Sequence, residues 1–260
     1  MSSTIIVKTE KEIGLMRQAN SIVAGAINLV LAKATAGVTT KELDILAETY
    51  AKNNDAIPAF KGYRGYPASL CVSINDQVVH GIPSKKTILR NGDILSIDFG
   101  INYKGYFGDA ATSVIIGDKD KSKNHLLDVT HKALLLGIQQ VRSGNRVSDI
   151  SEAIQSYVET NKFHVVKQFV GHGIGSKLHE APEVPNYKRP GRSSRLLPGM
   201  VLAIEPMVNV GTSDVFVMKD GWTVVTADRS LSAHFEHSVL VTSGDPEVLS
   251  AGINLTRYLS

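Results

Sequence analysis

Cysteine is nearly absent: Cys71 is the only one in 260 residues. A lone thiol cannot close an internal disulfide, so a disulfide-stapled secreted scaffold is excluded and a reducing compartment, the cytoplasm, fits best. Charge of one sign is not in excess either. Lys and Arg number 28 against 25 Asp and Glu, a formal net charge of +3. The basic residues are scattered, which argues against a dedicated nucleic-acid protein. Their densest stretch, Lys188, Arg189, Arg192 and Arg195, reads as a solvated loop, with a contact to ribosomal RNA as the sharper alternative. No run approaches the ~18 apolar residues of a membrane span. The start, Met1-Ser-Ser-Thr-Ile-Ile-Val-Lys, lacks the basic and apolar regions of a secretory signal.

Hydrophobic residues make up 43% and charged residues 20% of the chain, enough apolar side chain for a sizeable core. Thr9 and Glu12 form a capping box, followed by Leu15, Met16, Ala19, Ile22, Val23, Ala26, Ile27, Val30 and Leu31 at helical spacing, with Gly37 as the stop. Thr39 and Glu42 open a second helix to about residue 53. The segment from Ala59 to Pro67 is a Gly/aromatic loop. Strands are expected at 70–74, 77–80, 93–99 and 106–115, helices at 121–142 and 147–160, and a second strand-rich half over 164–242, broken by a Pro-rich loop at 182–198. Helices, strands, helices, strands: the order predicts an α+β architecture of two similar halves. No linker is long enough to separate them, so residues 1–260 read as a single catalytic domain.

The chemistry concentrates in a few carboxylates. In the strand around residue 96, Ile94, Ser96 and Asp98 share one face. A hairpin turn centred between Tyr103 and Lys104 would set Asp98 directly opposite Asp109, with Cβ atoms roughly 5 Å apart. Two buried carboxylates so placed must share a proton or hold a cation. Other groups shift the balance toward a cation. His172 stands among Gly171, Gly173 and Gly175, Glu205 ends the apolar run Val201–Ile204, and Glu236 begins another. A glutamate in an apolar run needs a partner or a metal. Asp98, Asp109, His172, Glu205 and Glu236 together suit two divalent ions ~3.5–4 Å apart with a bridging hydroxide.

Other patterns carry less. The glycines around His172 miss the G-x-G-x-x-G spacing, and His179-Glu180 lacks the second histidine of a zincin helix, with Pro182 to break it. No G-x-S-x-G elbow occurs. His234 alternates onto the face of Glu236 and reads as a surface bystander. Cys71 reads as a small buried residue.

Six segments, Ser73–Pro83, Asp93–Asp98, Gly108-Asp109, Gly171–Gly175, Ile204–Met207 and Phe235–His237, in this order and over nearly the whole chain, closely resemble the type I methionine aminopeptidases. The resemblance implies the pita-bread fold, two pseudo-symmetric halves with antiparallel sheets flanked by helices. It implies two divalent metal ions, with manganese, iron, cobalt and zinc all compatible with the donor set. Asp98 would bind one ion, His172 and Glu205 the other, and Asp109 and Glu236 both. His80 and His179 would contact substrate, and Glu205 would also shuttle a proton.

The matching methionine pocket is Phe60, Tyr63, Tyr66, Cys71, Leu178, Met207 and Trp222, apolar and aromatic as a thioether requires. Phe60 stands where a cysteine is common in bacterial members, and Leu178 where a phenylalanine is common, so pocket shape is expected to differ. The implied partner is the N-terminal methionine of nascent peptides, met at the ribosome by a monomer. Two rivals are weighed. A proline-specific enzyme of the same fold usually carries an additional N-terminal domain, and a silent binding module would lack metal ligands.

Overall fold

The computed structural model describes residues 4–118 and 120–255. The first half opens with helices α1 (Glu10–Lys33) and α2 (Thr40–Asn53) and continues through strands β1 (Ile57–Pro58), β2 (Cys71–Ile74), β3 (Gln77–Val79), β4 (Ile94–Tyr103) and β5 (Tyr106–Ile115). The second half repeats the order with α3 (Lys121–Gln139), α4 (Val147–Thr160), β6 (His164–Val165), β7 (Gly171–Gly173), β8 (Glu180–Val184), β9 (Val201–Ile204) and β10 (Met207–Asn209). It ends with β11 (Val215–Val217), β12 (Val224–Thr226), β13 (Ser232–His234), β14 (Glu236–Leu240) and β15 (Glu247–Val248).

Both early helices start where their capping boxes place them. Thr9 N–H donates to Glu12 Oε2 at 2.7 Å and Thr39 N–H to Glu42 Oε2 at 2.8 Å, while each threonine hydroxyl accepts from the glutamate N–H. Such caps contribute about 1 kcal/mol each. α1 stops at Lys33, four residues before Gly37, whose φ of +95° shapes the turn that follows. By length and mean hydropathy alone α1 could cross a membrane, although Arg17, Gln18, Asn20, Ser21 and Asn28 interrupt its apolar run. Its apolar stripe is buried in the fold instead: Met16, Val23, Ile27 and Val30 are 0% exposed.

Nine strands form the central sheet, in the order β1-β4-β5-β14-β9-β7-β8, with β2 on β4 and β15 on β14. Alternation sorts its faces. Leu95, Ile97, Phe99 and Ile101 of β4 pack with α1 and α2 in one core. In the second half Leu202, Ile204 and Val239 pack with Leu134, Ile150 and Ile154 of α3 and α4 in another. β5 and β14 join the halves, with Glu236 opposite Ala111. Two three-stranded sheets, β13-β10-β6 and β11-β12-β3, complete the structure. β13 is bolted to β5 by Ser113 Oγ, which donates to the His234 carbonyl at 2.8 Å and accepts from the His234 N–H at 2.9 Å.

The β4–β5 register departs from the reading. Tyr103 pairs with Tyr106, so Asp98 faces Ala111 and Asp109 faces Gly100. The turn centres on Lys104 and Gly105, both with positive φ, +50° and +89°. A two-residue turn matched to strand twist needs positive φ at both central positions. Gly105 accepts that at little cost; the expected centre would have forced Tyr103 into it. Because the register moves by two, the aspartates stay on one face as diagonal neighbours. A second departure is Pro182, expected in a loop and found inside β8. β8 is the last strand of the sheet, where a residue without an N–H is tolerated.

α2 also fixes the Gly/aromatic loop. Asp44 Oδ1 accepts the Ser69 and Leu70 N–H groups at 2.8 and 3.0 Å, and the Glu48 carboxylate accepts Lys52, Lys61 and Ser69 Oγ at 2.6 to 3.0 Å. The lysine ammonium groups hold the Glu48 carboxyl down to about 2, from an ordinary 4.5. A depressed folded-state value contributes stability above pH ~4.5 that is lost as pH falls toward ~2. Glu48→Gln is therefore expected to lower unfolding free energy by roughly 0.5–1 kcal/mol at pH 7, a small effect because Lys52 and Lys61 are largely solvated. Urea titrations should show the deficit shrinking between pH 4.5 and 3; a constant deficit would mean the charge is irrelevant.

Candidate metal centre

The two halves bring their chemistry to one place. Asp98 and Asp109 project from β4 and β5, His172 from β7, Glu205 from the end of β9 and Glu236 from the start of β14. Donor atoms of Asp109, His172 and Glu236 lie within 4.8 Å of one another. Glu205 Oε1 is 3.5 Å from His172 Nε2, and Asp98 lines the same space. His172 Nδ1 donates to the Gly173 carbonyl at 2.9 Å, which leaves the Nε2 lone pair facing the cluster.

The electrostatics call for positive charge. Asp109 and Glu236 are 4% and 2% exposed. Asp98 Oδ1, Asp109 Oδ1 and Glu236 Oε1 are buried without a hydrogen-bond partner. Burial, first, and the neighbouring carboxylates, second, push Asp109 and Glu236 well above the carboxylate range. Glu205 moves the same way, by burial and then by Asp98, and burial takes Asp98 to about 7. Burial and the nearby His179 hold His172 down to about 3, so its ring is neutral and able to ligate. Unpaired buried oxygens cost ~1–3 kcal/mol each. Divalent cations remove that cost, and a set rich in oxygen with one imidazole suits them.

Beside the cluster lies a cavity of about 160 Å³, lined by Phe60, Tyr63, Arg64, Tyr66, Cys71, His80, Leu178, His179 and Trp222 together with the five acidic and imidazole groups. Tyr66 meets Trp222 edge-on at 5.1 Å, and Tyr66 Oη donates to the Gly81 carbonyl at 2.8 Å. His80 sits just past β3 with φ of +60°, edge-on to Phe169. His179 stacks on Tyr63, whose hydroxyl is 2.9 Å from Nδ1, and lies 4.2 Å from the His172 ring. With Tyr63 donating, the neutral ring carries its proton on Nε2. Burial, then Arg64, lowers His179 to about 4, so it stays neutral. Burial and Asp98 raise the Cys71 thiol, which keeps it unreactive.

One expected pocket residue lies elsewhere. Met207 is 0% exposed and packs with Val78, Val79, Val166 and Val224, its Cα opposite His234. Three neighbours of the site were not foreseen. Arg64 lines the cavity from a loop with no periodicity to betray it. His234 is a correction: it is 2% exposed, not a surface bystander, and its Nε2 has no partner. Its position two residues before Glu236 in the sequence was the available signal. Gly100 is the third. A Cβ there would lie 3.1 Å from Asp109 Oδ1 and 2.8 Å from the Phe60 ring.

Buried carboxylates beside a neutral imidazole and an apolar pocket define a metallohydrolase centre. The sequence profile of metallopeptidase family M24 matches residues 14–243, and the chain belongs to that family. Within it, the chain is 51% identical to the methionine aminopeptidase of Clostridium acetobutylicum, covering 95% of this chain and 98% of that protein. It is 47% identical to methionine aminopeptidase 1 of Bacillus subtilis, over 95% and 99%. The crystal structure of Thermotoga maritima methionine aminopeptidase superposes with a TM-score of 0.93 at 43% identity, covering 95% of this chain and 99% of that one. A Pyrococcus furiosus prolidase shares the fold, with a TM-score of 0.74 at 21% identity, covering 94% of this chain and 65% of that one. The pita-bread fold and the family resemblance read from the six segments are thereby borne out.

Gly100→Ala tests the arrangement. It is expected to displace Asp109 or Phe60 and to weaken Mn²⁺ binding about tenfold or more, the scale of second-layer changes around metal sites. Calorimetric titration of the metal-stripped protein checks this; unaltered affinity would show that Asp109 needs no such space.

Proposed function

We propose that this protein removes the N-terminal methionine from newly made polypeptides by hydrolysing the first peptide bond, with preference for a small second residue. Residues 1–260 act as one catalytic domain, a monomer in the cytoplasm that meets its substrates as they leave the ribosome. The observation that carries the reading is the set of unpartnered buried carboxylate oxygens at the wall of a one-residue apolar cavity.

Asp98, Asp109, His172, Glu205 and Glu236 would hold two divalent ions, which would supply Lewis acidity to the scissile carbonyl and acidify water. The remaining work belongs to side chains. Phe60, Tyr63, Tyr66, Cys71, Leu178 and Trp222 enclose the methionine side chain, and sulfur–aromatic contact suits a thioether. His179, through Nε2–H, donates to the oxyanion that develops on the carbonyl. His80 hydrogen-bonds the substrate backbone. Glu205 takes the proton of the attacking water and passes it to the leaving amine.

The reading predicts that the metal-stripped protein, refilled with Mn²⁺, Fe²⁺, Co²⁺ or Zn²⁺, releases methionine from Met-Ala-Ser while Ala-Ala-Ser stays intact. A folded sample inactive with every metal would sink it. Asp98→Asn is expected to lose metal and turnover but keep most of the fold; unchanged turnover would remove Asp98 from the ligand set. His179→Ala is expected to lower kcat by roughly 10²-fold. A change confined to KM would make it a binding residue only.

A further inference from the structure

The catalytic cavity opens into a trough that the cleavage of one residue does not require. Arg64, His172 and His179 line both the cavity and an adjoining space of about 540 Å³. That space shares Thr4, Ala181 and Glu183 with a further groove of about 670 Å³ beneath the 189–194 loop. The floor of the trough is β8, the last strand of the nine-stranded sheet. β8 pairs with β7 on one side only, with Glu183 opposite His172. Among the described residues no strand pairs with its other edge, the usual setting for an added strand. One strand spacing, ~4.8 Å, separates Glu183 from the metal-facing His172, so an extended chain leaving the site reaches this edge within a few residues.

The charges along the trough do not cancel. Glu180 is neutralised by Lys8 at 2.8 Å, and Glu183 by Arg189 at 2.6 Å. Arg64, Lys177 and Arg192 have no carboxylate partner among the described residues. Resting on the aminopeptidase reading, we propose that the trough binds residues three to six of the substrate as an extended strand along β8 and favours acidic side chains there. The main-chain ladder would be indifferent to sequence, as a processing enzyme needs, and the three free cations would add the acidic preference.

The test uses the metal-loaded full chain and three substrates: Met-Ala-Ser, and the C-terminal amides of Met-Ala-Ser-Gly-Glu-Glu and Met-Ala-Ser-Gly-Lys-Lys. The acidic hexapeptide is expected to show a KM about three- to tenfold below that of the lysine hexapeptide at low salt, with kcat similar, and the gap should close at 0.5 M salt. Arg192→Glu is expected to erase or invert the gap and leave Met-Ala-Ser turnover unchanged, which also reports that the variant is folded. Equal KM values for the two hexapeptides, or a gap that Arg192→Glu leaves intact, overturns the trough while the catalytic reading stands. Failure of the wild-type protein to cleave Met-Ala-Ser overturns the catalytic reading and the trough with it.

Discussion

Four carboxyl groups in one desolvated space cannot all ionise without a counter-charge, and most of the architecture exists to hold them there. Asp98 and Asp109 come from one half, Glu205 and Glu236 from the other, and the β5–β14 pairing brings the halves together. Each half supplies its own helical core behind its strands, so the position of a carboxylate is set by many buried side chains. Burial raises the carboxyl pKa values in this space and leaves oxygens without hydrogen-bond partners, and divalent cations would relieve both.

Strands hold the carboxylates and the imidazole; loops hold most of the cavity's aromatic wall, and each loop is tied down separately. The 59–67 loop is anchored to α2 through Asp44 and Glu48. The loop carrying Leu178 and His179 is anchored through Glu180, whose carboxylate receives the Lys177 N–H at 3.0 Å and the Lys8 ammonium at 2.8 Å. Both side chains of that ion pair are 2% exposed. Breaking such a buried pair costs ~3–5 kcal/mol, because one charge is left stranded. Gly175 is part of the same joint, since a Cβ there would lie 2.5 Å from Lys8 Cε and 2.7 Å from Glu180 Oε1. The N-terminal segment thus fixes the loop that carries His179.

What could be read from the residues followed how local the cause is. Capping boxes act within four residues, and both early helices begin where Thr9 and Thr39 put them. Alternation acts within a strand, and it placed Asp98 and Asp109 on one face. Register depends on which two residues accept positive φ, and there the aromatic Tyr103 was given a place that Gly105 holds. Arg64 comes to the site by packing between distant segments, which no local pattern encodes, whereas His234 was signalled only by its spacing from Glu236. Met207 is a different case. Its matching to the pocket came from resemblance alone, and packing sets it against Val78 and Val224 instead.

The register departure left the site reading intact for a reason that lies in the strand itself. Side chains repeat every two residues, so a shift of two keeps both aspartates on the same face. It also changes what stands opposite each aspartate. Asp98 faces Ala111 and Asp109 faces Gly100; Glu236 faces the same Ala111, and His172 faces Ala203. All four of these pairings thus set alanine or glycine across the ladder from a carboxylate or imidazole of the cluster. Cross-strand partners stand ~4.5–5.5 Å apart, close enough for a larger side chain to fill the space above the sheet where the donors converge. Two aspartates directly opposite one another would have spent that space on each other. Placed diagonally, each over a small residue, they leave room between them for something else, and the unpartnered oxygens say that it is positively charged.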